Sequence, residues 1–310
     1  MSMSNVCNTY KVRNTNIEIL RFILITSVCL WHICIFGFHF MDVGTEEYPY
    51  NGSIWIPFFC CLFSPAVYCF MFISGFYGIN YSLKKIATLV ILAFLCYITG
   101  RLYWFVRGDF SYIDFFKNIL PISSGYWWFF TCYILVFFFS PIINLGIKML
   151  DKKIFSQVIV LLTIYEVLSL ITLRANCGST FYGLLYIYVL GRYFRTYGVN
   201  FGKTQIVIAY FISLLCLYIT IYATSSLLNQ PYSMVSWRLL GYNNPFIIIM
   251  AVCLFMFFYN MTPRYNRKLN SFLSPILCVY LLCDMLGPKF YRHIAEEIEN
   301  TPPLDYYICL

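Results

Sequence analysis

The stretch Ile17–Phe40, IEILRFILITSVCLWHICIFGFHF, decides the fold. It is apolar for long enough to cross a bilayer as one helix, since about 20 residues at ~1.5 Å rise span the ~30 Å hydrocarbon core. Within it Arg21 and His32 stand eleven positions apart. Eleven positions make almost three turns at ~3.6 residues per turn, so the two side chains share a face about 16 Å apart along the axis. A cation and an imidazole on one face of a spanning helix point to function by default, because lipid charges a desolvation penalty that an apolar residue avoids.

The rest of the chain reads the same way. Of its 310 residues 61% are hydrophobic, 21% aromatic and 11% charged, and the mean hydropathy is +0.72. No soluble core of this length could hide so much apolar surface. Apolar windows run over Ile17–Phe40, Ile54–Ile79, Ile86–Val106, Tyr126–Ile147, Phe155–Leu173, Tyr182–Phe194, Gln205–Ser225, Pro245–Asn260 and Phe272–Leu286. They predict an all-α polytopic transmembrane bundle of about nine to ten spans, nine of them counted in these windows, as one membrane-embedded domain over residues 1–310. The first span has no small-residue cleavage site behind it and reads as an uncleaved helix.

Orientation follows from the basic residues. Lys11 and Arg13, Lys84 and Lys85, Lys148, Lys152 and Lys153, Arg192, Arg195 and Lys203, and Arg264, Arg267 and Lys268 fall on alternate sides of consecutive spans, while Asp42, Glu46, Glu47, Asp109 and Asp114 mark the opposite loops. The positive-inside rule makes the N-terminus cytoplasmic. The net charge of +8 is then topology and headgroup contact, and nucleic acid is not implied.

The 14 cysteines lie mostly inside the spans without a C-x-x-C pair and read as small apolar residues. With only His32, His39 and His293 in the chain no metal-ligand cluster appears, and no metal is expected. Phe201-Gly-Lys-Thr204 fails as a phosphate loop, since Gly198 is one position too close to Gly202 and no strand precedes it. It reads as a turn. Ser74-Gly75 in the second window has the composition of a close-packing pair, and Lys84-Lys85 beyond it is either a topology signal or a point-charge grip on phosphates.

Four segments carry a family resemblance: Asn16-Ile-Glu-Ile-Leu-Arg21 followed by His32, Phe-Met-Phe-Ile-Ser-Gly-Phe at 70–76, Tyr126-Trp-Trp-Phe129 opening a span that ends in Ser140-Pro141, and Leu190-Gly-Arg-Tyr-Phe-Arg195. Over about residues 15–285 the chain resembles acyltransferase family 3, integral-membrane enzymes that move acetyl or related acyl groups from acyl-coenzyme A to sugars of surface polysaccharides. The resemblance implies a bacterial cytoplasmic (inner) membrane and acetyl-coenzyme A as the expected donor, with the bilayer and a sugar or polysaccharide acceptor as the other partners. It implies Arg21, Lys84 and Lys85 as contacts to the donor's phosphates, with Ser74 lining the same cavity. His32 is the implied catalytic group, either general base toward a sugar hydroxyl or covalent carrier of the acyl group. Arg101, Trp127 and Trp128 are further candidates for the acceptor or the cavity wall, the tryptophans as a sugar platform or as interfacial anchors.

The chain also departs from the family. Where members carry Tyr-Leu-apolar-His near the last spans, Tyr280-Leu-Leu is followed here by Cys283-Asp284. Members usually have ten spans, whereas the amphipathic tail Lys289–Leu310 is too polar to cross and is expected along the outer surface. Either a shortened active member or a degenerate one fits. A transporter or flippase would need paired Gly/Pro interruptions in corresponding spans, and none is evident. A polysaccharide polymerase would be expected to carry a large arginine-rich outer loop, whereas Arg107–Gly125 and Ser226–Asn244 contain only Arg107 and Arg238. Membrane-impermeant thiol labelling of Lys152→Cys and Glu46→Cys should report opposite faces of the membrane. Labelling from one face would overturn the topology.

Overall fold

The computed structural model describes residues 13–38, 40, 54–171, 178–198, 201–230 and 232–300; Lys11, His39, Asp42, Glu46, Glu47 and residues 301–310 of the tail lie outside them. Among the described residues the chain is all helical. In order it forms α1 (Thr15–His32), a π-helical turn (Ile33–Gly37), α2 (Trp55–Phe63), α3 (Ala66–Tyr77), α4 (Leu83–Val106), α5 (Tyr112–Lys117), α6 (Trp128–Met149), α7 (Lys152–Ser169), α8 (Phe181–Tyr197), α9 (Lys203–Leu228), α10 (Tyr232–Leu239), α11 (Pro245–Tyr259), α12 (Arg267–Phe272) and α13 (Ile276–Asn300).

Six stretches among the described residues are long and apolar enough to cross a bilayer: Thr15–Gly37, Trp55–Tyr77, Leu83–Val106, Trp128–Met149, Lys203–Leu228 and Arg267–Ile298. The other three apolar windows are helices as well, but α7 begins with Lys152-Lys153 and contains Glu166, while α8 and α11 have 17 and 15 residues. Both short helices bury much of their surface in the bundle. A helix walled by protein need not present a full hydrocarbon thickness to lipid.

The innermost pair is α3 against α8. A Cβ on Gly75 would lie 2.2 Å from the Tyr188 carbonyl oxygen, and one on Gly191 would lie 2.7 Å from that of Phe72, so the two backbones touch through two glycines. The packing role expected of Ser74-Gly75 is seen in Gly75. Just past α3 the Ile79 N–H donates to the Tyr188 hydroxyl (3.1 Å), the Asn144 amide donates to the Ile79 carbonyl (3.2 Å), and Tyr188 donates to Asn144 (2.8 Å). This closed set ties α3, α6 and α8 together where the helix leaves its own ladder.

Prolines interrupt or bend three spans. Ser64 and Pro65 separate α2 from α3, and the Ser64 hydroxyl donates to the Cys61 carbonyl at 2.9 Å. Contrary to the sequence expectation, the span entered at Tyr126 does not end at Ser140-Pro141. Pro141 cannot donate to the Phe137 carbonyl, but the Ser140 hydroxyl does, at 2.7 Å, and α6 runs on to Met149. The third interruption is at Gly287-Pro288 in α13, where Gly287 takes φ 69°, ψ −175°, a conformation essentially confined to glycine. Among the described residues the spans are thus interrupted at 64–65 and 287–288.

The described part of the polar tail continues α13 rather than lying apart on a surface. Tyr291 and Ala295, one turn apart, are buried against the π-turn, where Gly37 is small enough to admit them: a Cβ there would meet the Tyr291 carbonyl oxygen at 2.9 Å and the Ala295 Cβ at 3.1 Å. Phe201-Gly-Lys-Thr204 is the capping turn of α9, with the Gly202 N–H donating to the Gln205 side chain at 3.0 Å.

Because its neighbour is backbone, Gly75→Ala should destabilise the protein by roughly 1–3 kcal/mol, read as a lower melting temperature in detergent. Gly146→Ala, with nothing within 4 Å of the added Cβ, should be neutral or mildly stabilising. Equal melting temperatures for the two variants would contradict the α3–α8 contact.

Candidate active site

His32 is the last residue of α1, at the point where the helix widens into the π-turn Ile33–Gly37. A π-turn adds a residue to the repeat and re-aims the side chains beside it, a device frequent at functional sites. The imidazole is buried. Its Nδ1 lies 3.4 Å from the Tyr291 hydroxyl, whose ring stands edge-on to it at 5.4 Å, and its Nε2 lies 3.9 Å from Asp284 Oδ1. Tyr291 also donates to the Cys283 carbonyl at 3.1 Å.

His32 and Asp284 line a cavity of about 630 Å3. Much of its wall is aromatic: Trp31 from α1, Trp128 from the first turn of α6, Trp237 from α10, and Tyr242 and Tyr280. Trp128 and Tyr242 lie with ring centroids 5.4 Å apart. Phe63, Ser64 and Val67 bring the α2–α3 interruption to the same cavity, so both interrupted spans border it. Such a chamber offers flat apolar faces with few convergent polar groups, the usual composition of a small-molecule site.

Of the residues nominated from sequence, the structure brings His32 and Trp128 to this cavity. Trp127 is fully buried elsewhere, edge-on to Tyr97, Tyr126 and Phe130, and is neither a platform nor an interfacial anchor. Arg101 lies over the rings of Tyr97 and Tyr126 at 5.3 and 5.8 Å and donates to the Tyr97 hydroxyl at 3.2 Å, outside the cavity wall.

Arg21 does continue the face that carries Val28 and His32, but it borders a second cluster. It pairs with buried Glu18 at 2.8 Å. The Tyr77 hydroxyl is within electrostatic reach of Arg21, Glu18 and Arg195, and the Tyr133 hydroxyl neighbours both Arg21 and Ser74. Ser74 itself bonds back to the Phe70 carbonyl at 3.2 Å. Arg195 lies 5.4 Å over the Phe76 ring and donates to the Tyr259 hydroxyl at 3.4 Å. Lys84 and Lys85 are exposed in the first turn of α4, behind its Ser82 cap. Arg195 thus shares Tyr77 with Arg21, and the reason is topological: α8 packs on α3 and returns its basic end to Tyr77.

Asp284, Tyr291, Glu18 and Arg195 were not nominated from sequence. Asp284 and Glu18 satisfied the criterion that singled out His32, an ionisable residue in an apolar stretch, and Arg195 stood in a quoted motif. Tyr291 carried no signal, being one of 28 tyrosines.

A family model described as an acyltransferase domain matches residues 14–286. No curated protein and no solved structure matches the chain significantly. The family match runs from the residue that caps α1 to the turn of α13 that carries Asp284, short of Tyr291, and the chain belongs to acyltransferase family 3.

Proposed function

We propose that this protein is a multi-pass O-acyltransferase of a bacterial cytoplasmic membrane, N-terminus inside. It moves an acetyl or similar acyl group from acyl-coenzyme A to a sugar hydroxyl of a surface polysaccharide or its lipid-linked precursor. The observation that carries this reading is His32, buried on the wall of an aromatic cavity with a carboxylate 3.9 Å from Nε2, in a chain of an acyltransferase family.

In the simplest sequence His32 Nε2 takes the proton of the acceptor hydroxyl as its oxygen attacks the thioester carbonyl. The new C–O bond forms, the C–S bond breaks, and the thiolate leaves with the proton from the imidazolium. Acyl transfer through His32 itself would divide this into two steps. The aromatic wall supports stacking on the apolar face of a sugar ring.

Coenzyme A is a polyanion, and the end of the bundle with Arg21 and Arg195 suits its phosphates. The ~16 Å between Arg21 and His32 along α1 is comparable to the reach of an extended pantetheine arm. Lys84 and Lys85, exposed at the start of α4, fit topology better than donor recognition. The transporter reading gains one observation, the two interrupted spans that border the cavity. It predicts movement of a sugar without acyl transfer.

His32→Gln should accumulate normally and lose acyl transfer from radiolabelled acetyl-coenzyme A by roughly two to four orders of magnitude, while exposed His293→Gln should change little. Near-normal transfer by His32→Gln would falsify the acyltransferase mechanism, and transport that survives its loss would favour the alternative. Replacing Arg21 alone strands Glu18, so the donor test uses Glu18→Gln with Arg21→Ala. That double variant should weaken donor binding roughly ten- to hundredfold, as expected for a lost charge-assisted bond of about 1.5–3 kcal/mol, and leave acceptor KM unaltered. Unchanged donor affinity would remove Arg21 from the donor site.

A further inference from the structure

We infer that Tyr291 and Asp284 set the chemistry of His32 from its two sides: Tyr291 holds it as the Nδ1–H tautomer, and Asp284 balances the charge it gains at Nε2. The inference deepens the reading of His32 as the base and rests on it for the catalytic part, but the tautomer does not depend on any activity.

A phenol has one proton. The Tyr291 proton is engaged by the Cys283 carbonyl at 3.1 Å, so toward His32 Nδ1, 3.4 Å away, the phenol oxygen is an acceptor. Two features keep it there. Cys283 lies in the turn that leads into the kink at Gly287-Pro288, and the chain beyond that kink brings the Tyr291 hydroxyl back to its carbonyl. Gly37 lets the Tyr291 backbone approach the π-turn closely enough for the ring to stand under the imidazole. With the proton on Nδ1, the basic atom of His32 is Nε2.

Nε2 and Asp284 Oδ1 are then two acceptors 3.9 Å apart on a cavity wall, too far for a direct bond. An incoming hydroxyl can donate its one proton to Nε2 from about 2.8 Å, with Asp284 Oδ1 3.9 Å from that nitrogen. When its proton passes to Nε2 and its oxygen bonds to the acyl carbon, the pair becomes imidazolium and carboxylate, which attract; the departing thiolate then removes that proton. Asp284 thus acts on the protonated state more than on the resting one. The interruption of α13 makes this possible. Residues 284 and 291 would stand about 10 Å apart along an unbroken helix, yet here they reach the two nitrogens of one ring.

The tautomer can be read directly. Protein labelled with 15N-histidine in detergent has three histidines, and His32→Gln identifies the His32 signals. The expected pattern is a protonated Nδ1 and an unprotonated Nε2. In Tyr291→Phe, at unchanged melting temperature, the pattern should move toward the Nε2–H form. An Nε2–H pattern in the parent protein, or no change in a folded Tyr291→Phe, overturns the Tyr291 role whether or not the protein transfers acyl groups. For Asp284, Asp284→Asn should lower kcat on the order of a hundredfold with donor KM unchanged, and Asp284→Glu should recover part of it. A kcat retained by Asp284→Asn, or equal losses in Asn and Glu variants, sinks the charge-balancing role. A parent protein that shows the expected tautomer but no transfer would refute the enzymatic reading and leave the Tyr291 assignment standing.

Discussion

In a bilayer core a carbonyl robbed of its helical donor has no water to turn to, and this chain places prolines inside three of its longest apolar stretches. The same remedy appears twice. Pro65 cannot serve Cys61 and Pro141 cannot serve Phe137, and in each case the serine just before the proline donates its hydroxyl to that carbonyl. At Gly287-Pro288 α13 kinks, and a hydroxyl from beyond the kink, that of Tyr291, donates to the Cys283 carbonyl, next to the Asp284 carbonyl that Pro288 cannot serve. Much of what is distinctive about the cavity follows from where these repairs fall.

Two of the three interruptions border the cavity. The loosened joint at Ser64-Pro65 lets Phe63, Ser64 and Val67 face inward together, and the break at Gly287-Pro288 puts Asp284 and Tyr291 on either side of His32. The π-turn after His32 and the bare Cα of Gly37 complete the joint from the α1 side. The polar contacts of His32 thus come from α13, which explains why a tail too polar to be a span in its own right is packed against the bundle.

The two clusters on α1 differ in kind. Around Arg21 the charges are already balanced by Glu18, and Arg195 and three tyrosine hydroxyls, those of Tyr77, Tyr133 and Tyr259, complete a polar end. Around His32 the surroundings are aromatic and the single carboxylate stands at ion-pair distance without a hydrogen bond. Under the function proposed above, the first would take the charged donor and the second the neutral sugar hydroxyl.

The class of the protein, its long helices and the shared face of Arg21 and His32 were legible in the sequence because each depends on residues close together in the chain: apolar length and a 3.6-residue repeat. The packing role of Ser74-Gly75 was legible for the same reason. What the sequence could not reveal was which neighbours those faces meet. Trp127 and Trp128 look equivalent in the chain, yet 127 is the extended cap residue of α6 and 128 its first helical one, so one side chain enters a packed core and the other the cavity. Lys84 and Lys85 were read beside Arg21; the structure shows them exposed at the start of α4, and the return of α8 onto α3 adds Arg195 near Tyr77. Tyr291 reaches His32 across 259 positions. By itself the sequence determined the helices and the ionisable residues they carry, through local backbone chemistry and the demands of lipid. Only the tertiary structure decided which of them meet, because that depends on the close approach at Gly37 and the left-handed break at Gly287, and neither can be recognised until two distant helices are packed together.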